Sequence, residues 1–123
     1  MLNRNDILGA ADLKTADVEV PEWGGTVRVR MLTGMERDQL AASIVMSADG
    51  KADMTGYRAR LVAFTVVDDD GNRVFMDDDV GALCGKSSAA LDRVFAASSE
   101  LNKLGAGSVE DARGNSSGDP SAV

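Results

Sequence analysis

Residues 60–67, with the sequence Arg-Leu-Val-Ala-Phe-Thr-Val-Val, form the densest apolar run of the chain and constrain its fold more than any other feature. Because almost every position is apolar, the segment must be buried on more than one face. Its β-branched residues favour a strand, whereas Tyr57, Leu61 and Phe64 have the i, i+4, i+7 spacing of a helix. We predict a central helix over residues 56–67, with a strand over 60–67 as the alternative.

The chain has 123 residues, of which 44% are hydrophobic, and this is enough for one domain with a modest core. Only 4% of the residues are aromatic, so aliphatic residues and methionine must fill that core. We predict an N-terminal arm over residues 1–16, a single folded domain over 17–105 and a flexible tail over 106–123. The tail is rich in Gly, Ser, Asn, Asp and Pro and has almost nothing to bury.

Charge and cysteine content exclude several classes of protein. A net charge of −7 opposes binding to nucleic acid, which depends on clustered Lys and Arg. The longest apolar run is far shorter than the roughly 20 residues that span a bilayer. A single cysteine cannot form an internal disulfide, and the chain does not begin with the apolar segment of a secretory signal. We therefore expect a soluble protein of a reducing cytoplasm, with neither nucleic acid nor membrane as a partner.

Alternating apolar residues predict a β-hairpin over residues 17–31. Gly24 and Gly25 can supply the positive φ of a tight reversal, and Pro21 restricts the first strand to a sheet edge. The face that carries the valines should cover a helix.

The hairpin also carries one tryptophan and two arginines. Trp23 lies at the reversal, where it either covers the core, which we favour, or contacts a partner. Arg28 and Arg30 share the other strand face, where we expect both to be solvated and close to Glu19.

Capping signals mark the helix on either side of the central segment. Thr33 and Glu36 have the spacing of a capping box, which predicts a helix over 34–48 and a loop over 49–55. Ser87 caps the last helix, which we predict over 87–104 with Gly105 as its stop. The last helix is the clearest amphipathic one; its apolar stripe consists of Leu91, Val94, Phe95, Ser98 and Leu101.

Between these helices, an acidic turn over 68–73 leads to a short strand over 74–76. Asp77 then caps a brief helix over 78–84, which Gly85 ends. The predicted fold class is α+β and mainly α. An N-terminal β-hairpin packs on a small bundle of about three to four helices, and the C-terminal tail is disordered.

The acidic turns are the strongest candidate for a metal site, because hard cations bind carboxylate oxygens. If Gly71 held the glycine position of an EF-hand loop, Val66 would occupy the first ligand position and Asp77 the last, where Glu is expected. A solvated turn followed by a helix cap explains the same aspartates. We favour that interpretation, with a weak, incidental calcium site as the alternative.

The composition offers little for catalysis. The chain has no histidine to activate Cys84, which we interpret as a small buried hydrophobic residue. We predict no catalytic, cofactor-binding or metal-ligating residue and no enzymatic activity. A metal-dependent hydrolase, the distant alternative, would need both acidic turns to converge on one ion.

Four segments together resemble a known family. They are residues 18–38 (Val-Glu-Val-Pro-Glu-Trp-Gly-Gly-Thr-Val-Arg-Val-Arg-Met-Leu-Thr-Gly-Met-Glu-Arg-Asp), the apolar run with the acidic turn that follows (60–75), residues 87–95 (Ser-Ser-Ala-Ala-Leu-Asp-Arg-Val-Phe) and residues 100–104 (Glu-Leu-Asn-Lys-Leu). In this order, over about residues 7–114, the chain resembles the tail assembly chaperones of long-tailed bacteriophages.

The resemblance implies a non-enzymatic protein of the host cell cytoplasm that is absent from the mature virion. Such a chaperone binds and solubilises the tape measure protein while tail-tube subunits assemble around it. A longer, frameshifted form recruits the tail-tube protein, this chain would be the short, non-frameshifted product, and self-association is a further option. The alternative is a small acidic structural or adaptor protein of the virion, either a head–tail or a tail component.

A chaperone of this kind needs apolar surface that it can offer to a long helical partner. We expect the helices over 34–48 and 87–104 to supply it. The candidate partner-binding residues are Met35, Leu40, Ile44, Leu101 and Leu104. The methionines are adaptable apolar residues that we interpret mainly as core; these are Met31, Met35, Met46, Met54 and Met76.

Overall fold

The structure, a computed structural model, describes residues 1–46, 50, 52–53 and 56–104 as a set of five α-helices and five strands. In chain order the elements are α1 (Arg4–Leu8), β1 (Thr15–Val20), β2 (Gly25–Arg30), α2 (Gly34–Ala42), β3 (Val45–Met46), β4 (Ala52–Asp53), α3 (Tyr57–Thr65), β5 (Val66–Val67), α4 (Val80–Cys84) and α5 (Ser88–Asn102). The predicted α+β class, mainly α, is confirmed. The predicted tail over 106–123 lies outside the described residues.

The predicted hairpin is part of a three-stranded antiparallel sheet. β1 and β2 pair along their whole length, and β5 pairs with the other side of β2, so β1 is the edge strand as predicted. β1 begins at Thr15, two residues before the predicted start. At the reversal, the Gly24 N–H donates to the Pro21 carbonyl (3.0 Å) and Gly24 adopts a φ of +74°. Gly25 does not share this conformation; it is the first residue of β2 and pairs with Val20.

The apolar face of the sheet packs against α5. Val20 and Val29 of the sheet and Val94 of the helix are fully buried, and Leu91 is almost so. The prediction that the valine face covers a helix is therefore confirmed. Trp23 packs against the same cluster, as expected of a residue that covers the core.

The two arginines of β2 lie in different environments. Arg28 is exposed and pairs with Asp17 of β1, with Nε and Oδ1 2.8 Å apart. Arg30 donates from its two terminal nitrogens to the two carboxylate oxygens of Glu36, at 2.8 Å each, and these side chains are only 11% and 14% exposed. The prediction that both arginines are solvated is right for Arg28, whose partner is Asp17 in place of the expected Glu19. It is wrong for Arg30, because the first turn of α2 folds back over the end of β2.

α2 begins with the predicted capping box. The Glu36 N–H donates to Thr33 Oγ1 (3.1 Å), and the Thr33 N–H donates to Glu36 Oε1 (3.0 Å). Burial alone would raise the pKa of Glu36, but hydrogen bonds from Arg30 and from Thr33, together with the charge of Arg30, hold that pKa below its ordinary value. Glu36 is thus a carboxylate that caps a helix and neutralises a largely buried arginine.

α2 ends at Ala42, well before the predicted residue 48. The Ser43 hydroxyl donates to the Leu40 carbonyl (2.6 Å), a side-chain bond that competes with the helical ladder. The next residues, Ile44 and Val45, are β-branched and favour extended backbone. β3 and β4 accordingly form a small antiparallel pair where the helix end and the loop over 49–55 were predicted. Within that stretch, residues 47–49, 51 and 54–55 lie outside the described residues.

The central apolar run is a helix followed directly by a strand. The predicted helix over 56–67 is right for Tyr57–Thr65, with Gly56 as its N-cap, and wrong for Val66 and Val67, which form β5. Val66 pairs with Val29 of β2, and Val67 pairs with Arg28. This contact with the sheet favours extended backbone for the two valines over continuation of the helix. Every residue from 61 to 67 is buried, as the composition predicts.

A chain of buried hydrogen bonds connects α5 to α3 and to the segment after β2. The Leu32 N–H donates to Asn102 Oδ1 (2.7 Å), and Asn102 Nδ2 donates to the Ser98 carbonyl (2.9 Å). The hydroxyls of Ser98 and Thr65 lie 2.9 Å apart and share a hydrogen bond. Polar groups in a core need such partners, so this chain fixes the position of α5.

The acidic turn after β5 forms as predicted. Asp68 Oδ1 accepts from two backbone N–H groups of the turn, at 2.9 and 3.0 Å. The predicted strand over 74–76 is wrong, because only a single bridge forms, between Val67 and Arg73.

The caps of α4 and α5 differ in detail from those predicted. A 3-10 turn over Asp77–Asp79 precedes α4. The Met76 N–H donates to the Asp79 carboxylate (2.8 Å), so Asp79 has the capping role that was predicted for Asp77. Ser87 caps α5 as predicted, through its hydroxyl and the Ala90 N–H (3.3 Å). α5 ends at Asn102, earlier than predicted, and Lys103 takes the left-handed conformation that ends it. Gly105 lies outside the described residues.

The N-terminal arm contains a short helix that was not predicted. Asn3 and Asp6 form a capping box: the Asp6 N–H donates to Asn3 Oδ1 (2.9 Å), and the Asn3 N–H donates to Asp6 Oδ2 (3.1 Å). This local signal starts α1 although none of its residues is buried. The division of the chain into arm, domain and tail stays a prediction.

Candidate partner-binding surfaces

The five candidate residues do not form one surface. Met35 is 71% exposed, whereas Leu40 is only 2% exposed and belongs to a second core cluster, formed by Leu32, Leu40, Leu61 and Phe64. Leu104 is half-buried against that same cluster, and Leu101 packs against the cluster between α5 and the sheet. Ile44 is half-buried just after α2. The structure thus brings Leu40 and Leu104 together around a core and leaves only Met35 fully open to solvent.

The apolar stripe of α5 is already used within the molecule. Leu91, Val94 and Ser98 are buried against the sheet and α3, and Phe95 is half-buried in edge-to-face contact with Tyr57. The stripe therefore belongs to the core, and it is the opposite, polar face of this helix that is open to a partner.

Two methionines predicted as core are exposed instead. Met35 points into solvent at the start of α2, and Met76 is exposed just before the 3-10 turn. Met31 is half-buried, and the side chains of Met46 and Met54 lie outside the described residues.

Besides Met35, the segment before β1 is a second exposed apolar surface, and the sequence did not predict it. Four of its large apolar residues are exposed: Leu2, Ile7, Leu8 and Leu13. The Asn3–Asp6 capping signal could have located the short helix, but the exposure of these residues depends on packing and has no local signature. No core residue lies in this segment.

A third surface is a groove between the sheet and α4, which we call the tryptophan groove. It consists of two cavities, of about 530 and 360 Å³, that share Trp23 and Phe75 in their walls. Both aromatic residues are half-buried, and Val74 beside them is 48% exposed. The sequence pattern located Trp23 but not the groove, because its walls come from segments that are distant in the chain.

The tryptophan groove has an acidic rim. Its charged lining residues are Asp17, Arg28, Asp68, Asp69, Asp79 and Lys86, which gives four carboxylates and two cations. The hydrogen bond from Arg28 lowers the pKa of Asp17 below its ordinary value, so Asp17 remains a carboxylate at neutral pH. Asp68 and Asp69 have no ion-pair partner within the described part of the chain.

One polar atom at this groove lacks a partner. Trp23 Nε1 is buried and donates to no acceptor among the described residues. A buried indole N–H normally finds an acceptor, because an unpaired donor costs free energy. The same tryptophan therefore has both an apolar contact with the core and an unused donor.

The structure also locates the residues considered for catalysis and metal binding. Cys84 is exposed, so its interpretation as a buried residue is wrong: in α4 it is the neighbouring Leu83 that faces the core, at 4% exposure. Within residues 1–46, 50, 52–53 and 56–104, no group of three or more His, Cys, Asp or Glu residues is arranged to hold a metal ion. In that same part of the chain, no helix has the length and apolar character needed to cross a membrane.

Comparison with known proteins gives a family match and a structural match. The family model described as "Phage tail assembly chaperone" matches residues 7–115. Among solved structures, the bacteriophage HK97 tail assembly chaperone is similar, with a TM-score of 0.57 and 20% sequence identity over 72% of this chain and 85% of that chain. At this identity the structural match establishes a shared fold. A comparison with curated protein sequences gives no match.

Proposed function

Because the chain belongs to the phage tail assembly chaperone family, we propose that it binds and solubilises the tape measure protein during tail assembly and helps to recruit tail-tube subunits. The observation that carries this proposal is the family match, which extends over residues 7–115 and so includes every sheet strand and core helix. A chaperone role requires no catalysis, and we assign none to this chain.

The surface of the molecule supports a binding role. Large apolar side chains are exposed in the segment before β1 and at Met35, Val74 and Met76. Apolar groups of this kind can cover an aggregation-prone partner, and a net charge of −7 keeps a coat of many copies soluble. Of the five candidate partner-binding residues, Met35 is the most exposed and so offers the tape measure protein the most apolar surface.

The experiment that tests the proposal is co-expression with the tape measure protein encoded by the same phage, followed by pull-down and sedimentation. We expect the tape measure protein to become soluble and to co-purify with several copies of this chain. An insoluble tape measure protein, with this chain alone in the supernatant, would contradict the proposal. It would favour a virion adaptor, for which mass spectrometry of purified particles is the direct test.

A matched pair of variants tests the contribution of Met35. Met35→Lys and Ala42→Lys each add one positive charge to an exposed position of α2, but only the first removes a large apolar side chain. We expect Met35→Lys to reduce the amount of soluble tape measure protein and Ala42→Lys to leave it unchanged. Equal recovery with both variants would remove Met35 from the binding surface.

Three further properties belong to the same proposal. We propose that the chain acts in the host cell cytoplasm and leaves before the virion is complete. We also propose that a longer, frameshifted form recruits the tail-tube protein and that copies of the chain can associate with one another. Immunodetection of a longer product in infected cells, and sedimentation of the purified chain, test the last two points.

A further inference from the structure

The tryptophan groove has the shape and surface of a site for an extended segment with one large side chain. Its wall combines Trp23, Phe75 and the half-exposed Val74, and its two cavities total several times the volume of a single side chain. Aromatic residues beside an apolar pocket are typical of the anchors that dominate binding energy.

The charge of the groove selects the chemistry of its occupant. The rim carries four carboxylates and two cations. Asp68 and Asp69 belong to no ion pair among the described residues, so the groove attracts positive groups. The chain's own residues beyond 104 carry three acidic residues and one arginine, and a whole second copy carries a charge of −7. Both are repelled, so a basic segment of a different protein fits best.

The unpaired donor of Trp23 gives a second, independent indication of a ligand. Trp23 Nε1 is buried and has no acceptor in the described part of the chain, and the residue Trp23 lines both cavities. A carbonyl of a bound backbone would provide that acceptor after a small rotation of the indole ring.

We infer that the tryptophan groove binds a segment of the tape measure protein in which a large apolar side chain is flanked by Lys or Arg. The apolar side chain enters between Trp23 and Val74, and the flanking cations lie against Asp68 and Asp69. This inference rests on the proposed function and adds to it the site on this chain and the chemistry of the partner segment.

Synthetic 15-residue peptides that tile the tape measure protein are the probe. The chain contains a single tryptophan, so the fluorescence of Trp23 reports binding in the groove without any label. We expect the peptides that shift this emission to share an apolar residue flanked by Lys or Arg. Their binding should weaken as salt rises, because ions screen exposed charges.

Charge reversal at the rim provides the matched comparison. Asp69→Lys changes an exposed residue of the groove, and Asp12→Lys makes the same change at an exposed position outside it. We expect about tenfold weaker peptide binding for Asp69→Lys and less than about twofold for Asp12→Lys. Val74→Ser, which removes apolar surface without changing charge, should also weaken binding, and circular dichroism should give all three variants the wild-type fold.

Three outcomes would overturn the inference. One is peptide binding that Asp69→Lys and Val74→Ser leave unchanged, and another is a set of bound peptides without basic residues. The third is soluble co-purification of the tape measure protein while none of the tiled peptides shifts the emission of Trp23; in that case the proposed function stands and the groove is not its site. Failure of co-purification itself overturns the proposed function, and the inference with it.

Discussion

Replacing Glu36 by Gln removes one charge from the capping box and keeps the shape of the side chain. In the wild-type protein, Arg30 donates to both carboxylate oxygens at 2.8 Å, and the Thr33 N–H donates to Oε1 at 3.0 Å. An amide retains one acceptor oxygen but turns an NH₂ group toward the guanidinium. Arg30 then keeps its charge in a site where its side chain is 11% exposed.

The magnitude follows from the kind of bond that is lost. A hydrogen bond to a charged group contributes about 1.5–3 kcal/mol, and breaking a fully buried ion pair costs about 3–5 kcal/mol. Because Arg30 and Glu36 retain some contact with water, we expect Glu36→Gln to lower the free energy of unfolding by about 2 kcal/mol at pH 7.

The effect should depend on pH in a defined direction. The pKa of Glu36 in the folded protein is below its ordinary value, which is about 4.3 in an unfolded chain. A carboxylate of this kind stabilises the fold above its unfolded pKa, and the stabilisation is lost as pH falls through its folded pKa. The glutamine of the variant does not titrate, so the difference in stability between wild type and variant should shrink below about pH 4.

Urea unfolding followed by far-ultraviolet circular dichroism at pH 7, 5 and 3 measures this difference. Asp17→Asn is the matched control, since it removes the same charge from the exposed pair with Arg28, where we expect a much smaller loss because water screens the pair. The reasoning is refuted if the two variants lose equal stability at pH 7, or if the Glu36→Gln difference is the same at pH 3.

Three further predictions concern stability and use the same unfolding measurement. Gly24→Ala should lower the free energy of unfolding by about 1–2 kcal/mol, because the φ of Gly24 is +74°. Gly25→Ala should lower it by less than about 0.5 kcal/mol, because Gly25 has an ordinary φ and open space around it. Equal losses for the two variants would contradict this. Asn102→Ala should cost about 1–3 kcal/mol, since it leaves a buried backbone N–H without an acceptor; a neutral result would mean that water replaces the amide. Leu40→Ala should cost about 2–5 kcal/mol and Met35→Ala close to nothing, and the reverse order would exclude the described packing of α2.

The sequence predicted what local signals determine. The capping boxes and caps at Thr33 and Ser87 start helices where expected, since each depends on side-chain and backbone groups within three residues. The alternation of valines similarly located the hairpin and the face that it buries. The apolar run over 60–67 was correctly predicted to be buried on more than one face.

What the sequence did not predict depends on contacts between distant residues. Val66 and Val67 leave the helix because β2 offers them a partner strand, and nothing within the run marks that change. The candidate partner-binding residues stay a prediction, and their burial also depends on contacts between distant residues. An amphipathic stripe indicates which face of a helix is covered, but the sequence does not indicate whether the core or a partner covers it. In α5 the core covers the stripe, so Leu101 is packed, whereas in α2 the core covers Leu40 and leaves Met35 exposed.

The position of α5 at the end of the described chain has a consequence for synthesis on the ribosome. α5 covers β1 and β2, and Asn102 in its last turn accepts from the backbone just after β2. A nascent chain that ends at α4 therefore exposes the apolar face of its sheet and lacks the acceptor for Leu32. The described contacts of α5 with the sheet are complete only once residue 102 has emerged, and any extension that begins beyond Leu104 is translated after the contacts of residues 1–104 that the structure describes have been encoded.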